Sequence, residues 1–560
     1  MSISARDVIA DLKYRYEART PLIALLTTER ERALGLLKRV IEDPYHEERK
    51  RSLYVWSCRR GVRRVAGPDM KFCDEPICDV VDPKGLVLWL ESYCNRINRT
   101  KDKDKDNAEY GGIFVLQDFG QFLTEYGAED VKLTTGLRDV AALAKARGVT
   151  LVFLGATFPQ IASIERDVLR LTLPLPTEDD ARRIVQMRVL ELEQHPLVDT
   201  LDIELTTARA DAIIPLLMGL TEEQMERVVL YGVKRTRTLG QPFLDMLITE
   251  KKSLINQSGA LSWYPPQALA TVGGYTGLLE FLCVCARTFA PAARAYGVRP
   301  KKGLAFLGLP GTGKDHIVKA MPGIFNMPLY MLDASFMGAG DSRLGAAEAE
   351  VKSMLAQVEA QQSILGISEY EKVFGGVGGG YNGDGGASNR VGSLLLNWQS
   401  DQEGCFVVAT MNDISHLQPE QLRSGRFDHL LFFDYPDVDT RRAVAAVHLT
   451  AQKQEPGDLD MTRVAEMTED FSCAEIAAAI NQAVINAFVD GAARVSMAEV
   501  ERAVRLQAHT LIARTKPAMI ADTRARAKAA GCIDVNDLGT AVSIEDLVSD
   551  AIGVGVGIDL

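Results

Sequence analysis

The chain has 560 residues, which is too long for one hydrophobic core and predicts two or more domains. Hydrophobic residues make up 47% and charged residues 25%, the balance of an ordinary globular protein. The net charge of −12 argues against a protein that holds nucleic acid through phosphate contacts. Because no apolar run is long enough for a membrane span and the nine cysteines lack zinc-ligand spacing, we expect a cytoplasmic protein with reduced thiols and no membrane partner.

The first half alternates short apolar runs with helical patterns. Continuous apolar strands separated by helices predict a parallel sheet covered on both faces. A mostly helical stretch at 178–238 then fits a helical lid. The predicted strands are Leu22–Leu26, Leu53–Trp56, Ile113–Asp118, Leu151–Leu154 and Leu169–Leu173.

The second half repeats this alternation after a Pro- and Gly-containing segment at 256–268, which we interpret as a linker. A glycine-rich stretch at 375–386 predicts a flexible loop, and 439–508 predicts a second helical lid. The strands predicted in this half are Leu304–Leu307, Leu329–Leu332, Ile364–Ile367, Cys405–Ala409 and Leu430–Phe433.

One segment of the second half has the pattern of a phosphate-binding loop. It follows an apolar strand and opens a helix, as the pattern G-x-x-x-x-G-K requires. Glycines let the backbone wrap around phosphates, the helix N-terminus attracts them, and the lysine reaches the β- and γ-phosphates. We therefore predict that ATP binds to Gly308, Leu309, Pro310, Gly311, Thr312, Gly313, Lys314 and Asp315.

Other polar residues follow the neighbouring strands. Glu369 is predicted to be the general base that polarises the attacking water, and Asn412 to hold that water or the γ-phosphate. Arg423 and Arg426 are candidates for stabilising charge on the transferred phosphoryl group. We therefore predict these four residues to be catalytic.

The two positions that handle Mg²⁺ are unusual. The loop pattern ends in Ser or Thr, but this chain has Asp315, and the strand before Glu369 ends in Ser368 where an acid is usual. One hypothesis is a working ATPase in which Asp315 binds Mg²⁺ directly and accepts a hydrogen bond from Ser368, since a carboxylate is a good ligand for this ion. The alternative is a degenerate metal site in a scaffold or interaction protein that does not hydrolyse nucleotide.

These motifs resemble the AAA group of AAA+ ATPases. The resemblance covers about residues 268–510 and is carried, besides the loop, by Val272–Gly274, Ile367–Glu369, Ala409–Asn412, Arg423–Asp428 and Phe471–Glu475. It implies a ring, commonly a hexamer, that remodels a protein partner. It also implies that Lys314, Glu369 and Asn412 act within one subunit, while Arg423 and Arg426 reach the neighbour's nucleotide.

The chain looks closer still to the two-module AAA proteins of cyanobacterial and plastid genomes, in which the first module is degenerate. Here Thr27–Arg30 has no glycine where the phosphate loop belongs, its Glu29 would repel phosphate, and Asp118 has no neighbouring acid. We therefore predict a P-loop AAA+ α/β module with a helical lid, preceded by a degenerate, structural AAA-like α/β module. The predicted domains are the first module at 1–177, its lid at 178–255, a linker at 256–268, the nucleotide-binding module at 269–437, its lid at 438–512 and a C-terminal extension at 513–560.

Overall fold

The fold is described from a computed structural model of the chain. It describes residues 5–42, 52–66, 71–72, 77–97, 112–125, 128–193, 202–256, 261–266, 272–333, 346–373, 387–415, 417, 419–422 and 425–539. Two compact units are present. One comprises Met1–Leu247 with Arg343–Ala360, and the other comprises Ile248–Ser342 with Gln361–Leu560.

Most strands are the short apolar runs of the sequence, buried between layers of helices. In chain order the strands are β1 (Leu22–Leu26), β2 (Ser52–Ser57), β3 (Gly61–Ala66), β4 (Lys71–Phe72), β5 (Gly112–Gln117), β6 (Thr124–Glu125), β7 (Ala128–Glu129), β8 (Thr150–Gly155), β9 (Val168–Thr172), β10 (Leu261–Tyr264), β11 (Gly303–Gly308), β12 (Leu329–Asp333), β13 (Ser363–Ser368), β14 (Cys405–Met411), β15 (His429–Phe433) and β16 (Ile533–Asp534).

The helices cover the sheets and form the two lids. They are α1 (Ala5–Glu17), α2 (Arg30–Ile41), α3 (Pro83–Arg96), α4 (Val131–Arg147), α5 (Glu178–Glu193), α6 (Thr207–Leu217), α7 (Glu222–Thr236), α8 (Gln241–Asn256), α9 (Thr276–Arg287), α10 (Pro291–Tyr296), α11 (Lys314–Phe325), α12 (Ala346–Glu359), α13 (Ala387–Asp401), α14 (Pro419–Leu422), α15 (Val438–Ala451), α16 (Met461–Met467), α17 (Cys473–Val489), α18 (Met497–Gln507), α19 (Ile512–Thr515) and α20 (Pro517–Ala529).

The first sheet has the order β4-β3-β2-β5-β8-β1-β9. The five adjacent strands β2, β5, β8, β1 and β9 are parallel. At the β2 edge, β3 and β4 extend the sheet by antiparallel pairing. One apolar cluster lies on each face, because neighbouring residues of the buried strands alternate between faces. The carboxyl ends of β1, β5 and β8 therefore meet along one edge.

The second sheet has the order β10-β12-β13-β14-β11-β15-β16. Its five central strands, β12-β13-β14-β11-β15, correspond in order to β2-β5-β8-β1-β9 of the first sheet. In both sets the strand that comes first in the chain lies between the fourth and the fifth. The second half of the chain thus repeats the topology of the first. The predicted α/β fold, with two modules built on mainly parallel sheets, is confirmed.

Two segments have more structure than the sequence predicted. Leu261–Tyr264 falls inside the predicted linker but pairs antiparallel with β12, with its Trp263 ring fully buried. In the predicted C-terminal extension, Ile533–Asp534 pairs in parallel with β15. Short edge strands of this kind depend on a neighbouring strand, and their own pattern is too brief to predict them.

Several other expectations can be compared with the structure. The glycine-rich stretch at 375–386 lies outside the described residues. Each of the eight described cysteines is a free thiol. The helices of the described ranges include no candidate membrane span.

Candidate functional site

The phosphate-loop sequence forms a tight turn between β11 and α11. Gly311 and Gly313 have φ angles of +79° and +92°, in the left-handed region that side chains rarely adopt. A Cβ atom on Gly308 would lie 2.4 Å from the carbonyl oxygen of Phe433 on the neighbouring strand. Each of these glycines therefore meets a backbone requirement, and the loop leads directly into the N-terminus of α11.

Lys314 is the first residue of α11 and is buried, with 7% of its surface exposed. Its amine donates to the carbonyl oxygens of Gly308 and Leu309 at 2.9 and 2.8 Å. Burial lowers the pKa of Lys314 to about 8, against the opposing effect of the Asp315 and Glu371 carboxylates. The amine is thus held inside the loop by backbone oxygens.

Asp315 has a different partner from the one predicted. Its Oδ1 accepts a hydrogen bond from the hydroxyl of Thr410 at 2.8 Å, and Thr410 is a buried residue of β14. The hydroxyl of Ser368 donates to the carbonyl oxygen of Leu332 at 3.4 Å. This corrects the expected hydrogen bond between Asp315 and Ser368, because Ser368 points along the sheet toward β12.

Glu369 follows the last residue of β13, at the carboxyl edge where a general base was expected. Its φ angle of +53° is uncommon for a residue with a side chain, and such conformations cluster at functional sites. Its carboxylate accepts from the amine of Lys372 at 2.5 Å, and 42% of the side chain is exposed. Glu369 therefore reaches solvent at the edge of the sheet, held by a surface ion pair.

Asn412 follows β14 and is exposed at the same edge. Its backbone N–H donates to Oε1 of Glu371 at 3.1 Å. Burial raises the pKa of Glu371, and Glu369 adds to this effect while Lys314 opposes it. Sequence reasoning missed Glu371, although an acid two residues after Glu369 was the signal for it.

The two arginines are placed differently. Arg423 lies outside the described residues. Arg426 is buried, with 8% of its surface exposed, and its charge lies close enough to lower the pKa of Tyr370 against the larger effect of burial on that phenol. Asp428, on the same segment, accepts from the backbone amides of Lys302 and Gly303 and so fixes the start of β11. The role expected of Arg426 at a neighbouring subunit remains a prediction.

The lid begins directly against the phosphate loop. Ser472 and Glu475 form a capping box at the start of α17, and the amide of Ala474 donates to the carbonyl oxygen of Gly311 at 2.9 Å. The hydroxyl of Tyr275, a buried residue that sequence analysis did not single out, donates to the carbonyl oxygen of Thr312 at 2.9 Å. Two segments distant in sequence therefore hold the loop by its backbone carbonyls.

The first module has the same edge with different chemistry. Arg30 begins α2 as Lys314 begins α11, and Asp118 follows β5 as Glu369 follows β13, with a matching left-handed φ of +52°. Here the two charged groups bond each other, with Arg30 Nη2 to Asp118 Oδ2 at 2.5 Å. A cavity of about 300 Å³ lies at this edge, lined by Thr27, Thr28 and Thr157 among others. A solvent-exposed ion pair within the first module therefore occupies the edge that corresponds to the predicted ATP site of the second.

Glu29, the residue before α2, links this helix to the helical lid. Its side chain accepts from Arg32 Nη1 and from the backbone N–H of Glu222, each at 2.6 Å. Arg32 is 6% exposed and also donates to the carbonyl oxygen of Pro174 at 2.7 Å. The Glu29 carboxylate thus joins the start of α2 to the first backbone N–H of α7.

Comparison with known proteins finds AAA family models and AAA relatives. The model of the SpoVK-like AAA ATPase N-terminal domain matches residues 8–173, and that of the ATPase family associated with various cellular activities (AAA) matches residues 304–435. The AAA domain-containing protein ycf46 of Guillardia theta is 28% identical over 484 residues, which are 86% of this chain and 87% of that protein. The second module thus matches the AAA model, and most of the chain is similar to AAA domain-containing proteins.

Other AAA relatives are similar to most of the chain or to a part of it. The ycf46 protein of Trieres chinensis is 26% identical over 86% of this chain and 88% of its own length. The ATP-dependent zinc metalloprotease FtsH 3 of Symbiobacterium thermophilum is 33% identical, but over only 37% of this chain and 33% of that protein. The first module therefore matches the N-terminal domain of SpoVK-like AAA ATPases, and the second has the P-loop and the match of an AAA ATPase domain.

Proposed function

We propose that this protein binds ATP with Mg²⁺ and hydrolyses it, and that it does so as a ring, commonly a hexamer, to remodel a protein partner. The observation that carries the proposal is the second module's edge, where a glycine loop with a buried lysine faces an acidic residue in a left-handed conformation. Phosphoryl transfer needs mainly positioning and charge stabilisation, and this edge provides groups for both.

Each residue has a definite task in this proposal. The loop amides from Gly311 to Asp315 cradle the phosphates, and Lys314 exchanges its carbonyl partners for phosphate oxygens. Glu369 leaves Lys372 and accepts the proton of the attacking water, which Asn412 orients. Arg423 and Arg426 act on the nucleotide of a neighbouring subunit.

The residues fit magnesium. Asp315 is exposed beside the loop and presents hard carboxylate oxygens, one of them oriented by Thr410. Asp315 would hold the ion together with nucleotide phosphates, and Ser368 would contact its water shell. When bound, Mg²⁺ neutralises charge on the phosphate oxygens.

The test is phosphate release by the full chain. We expect Mg²⁺-dependent release that Glu369→Gln reduces by at least about a hundredfold, the range for a general acid–base residue. Glu403→Gln removes an exposed carboxylate elsewhere in the same module and should leave the rate unchanged. An equal rate in the Glu369 variant would contradict the assignment of the base. Mass measurement of the Glu369→Gln protein with ATP should show a ring.

A second candidate is a scaffold that binds nucleotide without hydrolysing it. It is favoured by the ion pair between Glu369 and Lys372 and by the extra negative charge of Asp315 at the loop. Tight ATP binding with only background phosphate release by the wild type would support the scaffold and overturn the ATPase. Partner capture with the Glu369→Gln protein and ATP would then show what the assembly binds.

A further inference from the structure

One half-buried carboxylate near the loop, that of Glu371, has no task in the proposed mechanism. Glu371 Oε1 accepts from the backbone N–H of Asn412 at 3.1 Å. Its Oε2 is also buried, and within the described parts of the chain it has no hydrogen-bond partner. A buried carboxylate oxygen without a donor costs free energy, on the order of 1–3 kcal/mol or more. An acid at this position therefore needs a compensating interaction that the described residues do not provide.

The surroundings of Glu371 indicate what could compensate it. Its charge lies near enough to Lys314 to affect the pKa of that amine, and Glu369 lies near enough to affect the pKa of Glu371. The turn Tyr370–Val373 that carries Glu371 is anchored by Tyr370, which is fully buried. Glu371 is thus a fixed acid beside both the phosphate-binding lysine and the candidate base.

The neighbouring strand end lacks an acid. Ser368 donates its hydroxyl to the carbonyl oxygen of Leu332, which turns it along the sheet. Asp315 supplies one carboxylate at the loop, and a magnesium ion with nucleotide commonly uses one or two carboxylates and retains several waters. The unpartnered Oε2 of Glu371 is a suitable acceptor for such a water.

We propose that Glu371 supplies the carboxylate that position 368 lacks, and that its Oε2 accepts a hydrogen bond from a water of the Mg²⁺–nucleotide complex. The proposal rests on the nucleotide site of the proposed function and not on hydrolysis. Glu371 is then a positioning residue, acting on the ion through water. Removal of such a partner typically weakens metal affinity by 10- to 100-fold.

A merely structural role for Glu371 predicts a different result. If the carboxylate only holds the backbone of Asn412, its loss affects nucleotide binding equally with and without metal. If it serves the ion, Glu371→Gln weakens Mg²⁺-supported binding only. Without metal, the loss of a negative charge leaves nucleotide affinity equal or tighter, because phosphates and carboxylates repel each other.

The experiment is a calorimetric titration of the full chain with ADP, first in EDTA and then over a series of Mg²⁺ concentrations. For Glu371→Gln we expect the half-effective Mg²⁺ concentration to rise at least about tenfold, with EDTA affinity unchanged or higher. Glu371→Asp keeps the charge, so its half-effective Mg²⁺ concentration should lie between those of the wild type and Glu371→Gln. Glu403→Gln is the matched control and should equal the wild type.

The outcomes separate this proposal from the proposed function. An unchanged Mg²⁺ requirement in Glu371→Gln, or an equal loss of binding with and without metal, would overturn the role of Glu371. Absence of phosphate release by the wild type, with a shifted Mg²⁺ requirement in the variant, would overturn hydrolysis and support this role. If Glu371→Gln fails to fold, an unchanged Mg²⁺ requirement in Glu371→Asp overturns the proposal, because the shortened side chain moves the oxygen away from the water.

Discussion

Asp315 shows how one substitution in a motif is accommodated by its surroundings. The residue replaces the usual hydroxyl of a phosphate loop, and its carboxylate is oriented by the buried hydroxyl of Thr410. Thr410 belongs to a different strand and lies 95 positions away along the chain. The sequence pattern of the loop alone therefore does not identify Thr410 as the residue that orients Asp315.

Replacement of Thr410 by Val should weaken the metal site and leave the loop in place. A hydrogen bond to a charged group contributes about 1.5–3 kcal/mol, so we expect the half-effective Mg²⁺ concentration for nucleotide binding to rise about 10- to 100-fold. Calorimetric titration measures this. Thr468→Val is the control, because that buried hydroxyl donates only to backbone carbonyls in the lid. Equal Mg²⁺ requirements in both variants would show that Thr410 does not serve Asp315.

At the scale of elements, the two modules differ in what holds the lid. In the second module, α17 begins on the phosphate loop through Ala474 and Gly311. In the first, Glu29 accepts from the backbone N–H of Glu222 at the start of α7 and forms a buried ion pair with Arg32 within α2. This carboxylate lies at the N-terminus of α7, the end of a helix that favours negative charge.

Glu29→Gln should loosen the first lid. Arg32 would keep its bond to the Pro174 carbonyl, but its nearest carboxylates would be those of Asp180 and Glu222 at 3.7 and 3.5 Å. Breaking a buried pair typically costs about 3–5 kcal/mol. We expect faster hydrogen exchange at the start of α7 and an earlier first unfolding transition. Glu226→Gln, also on α7, breaks a more exposed pair with Arg188 of α5 and should cost less than about 1 kcal/mol. Similar losses in the two variants would show that the buried pair has no special weight.

On the scale of the whole molecule, the duplication makes a clear prediction about stoichiometry. The central strands of both modules have the same order, but only the second module has glycines at the loop. Its Lys314 bonds backbone carbonyls, whereas the equivalent Arg30 of the first module is paired with Asp118. The full chain should bind one ATP. Lys314→Met should abolish this binding, whereas Arg30→Met, the equivalent change in the first module, should leave it intact. A count of two nucleotides, or loss of binding in the Arg30 variant, would contradict the structural role of the first module.

The sequence by itself determined the core of the fold and the members of the loop. Buried strands such as Leu22–Leu26 have a continuous apolar pattern that does not depend on a neighbour, and the glycine spacing from Gly308 to Lys314 reflects local backbone geometry. The edge strand β10 and the parallel strand β16 were not predictable, because they form only where a neighbouring strand offers hydrogen bonds.

Tertiary structure alone decided the partners at the site. The chain pattern suggested that Asp315 pairs with Ser368, but the fold brings Thr410 to Asp315, turns Ser368 toward Leu332 and places Glu371 under Asn412. These contacts join residues from separate strands, and their geometry depends on strand register and side-chain direction. A sequence specifies which chemical groups are present at a sheet edge, whereas the packed strands determine which of those groups touch.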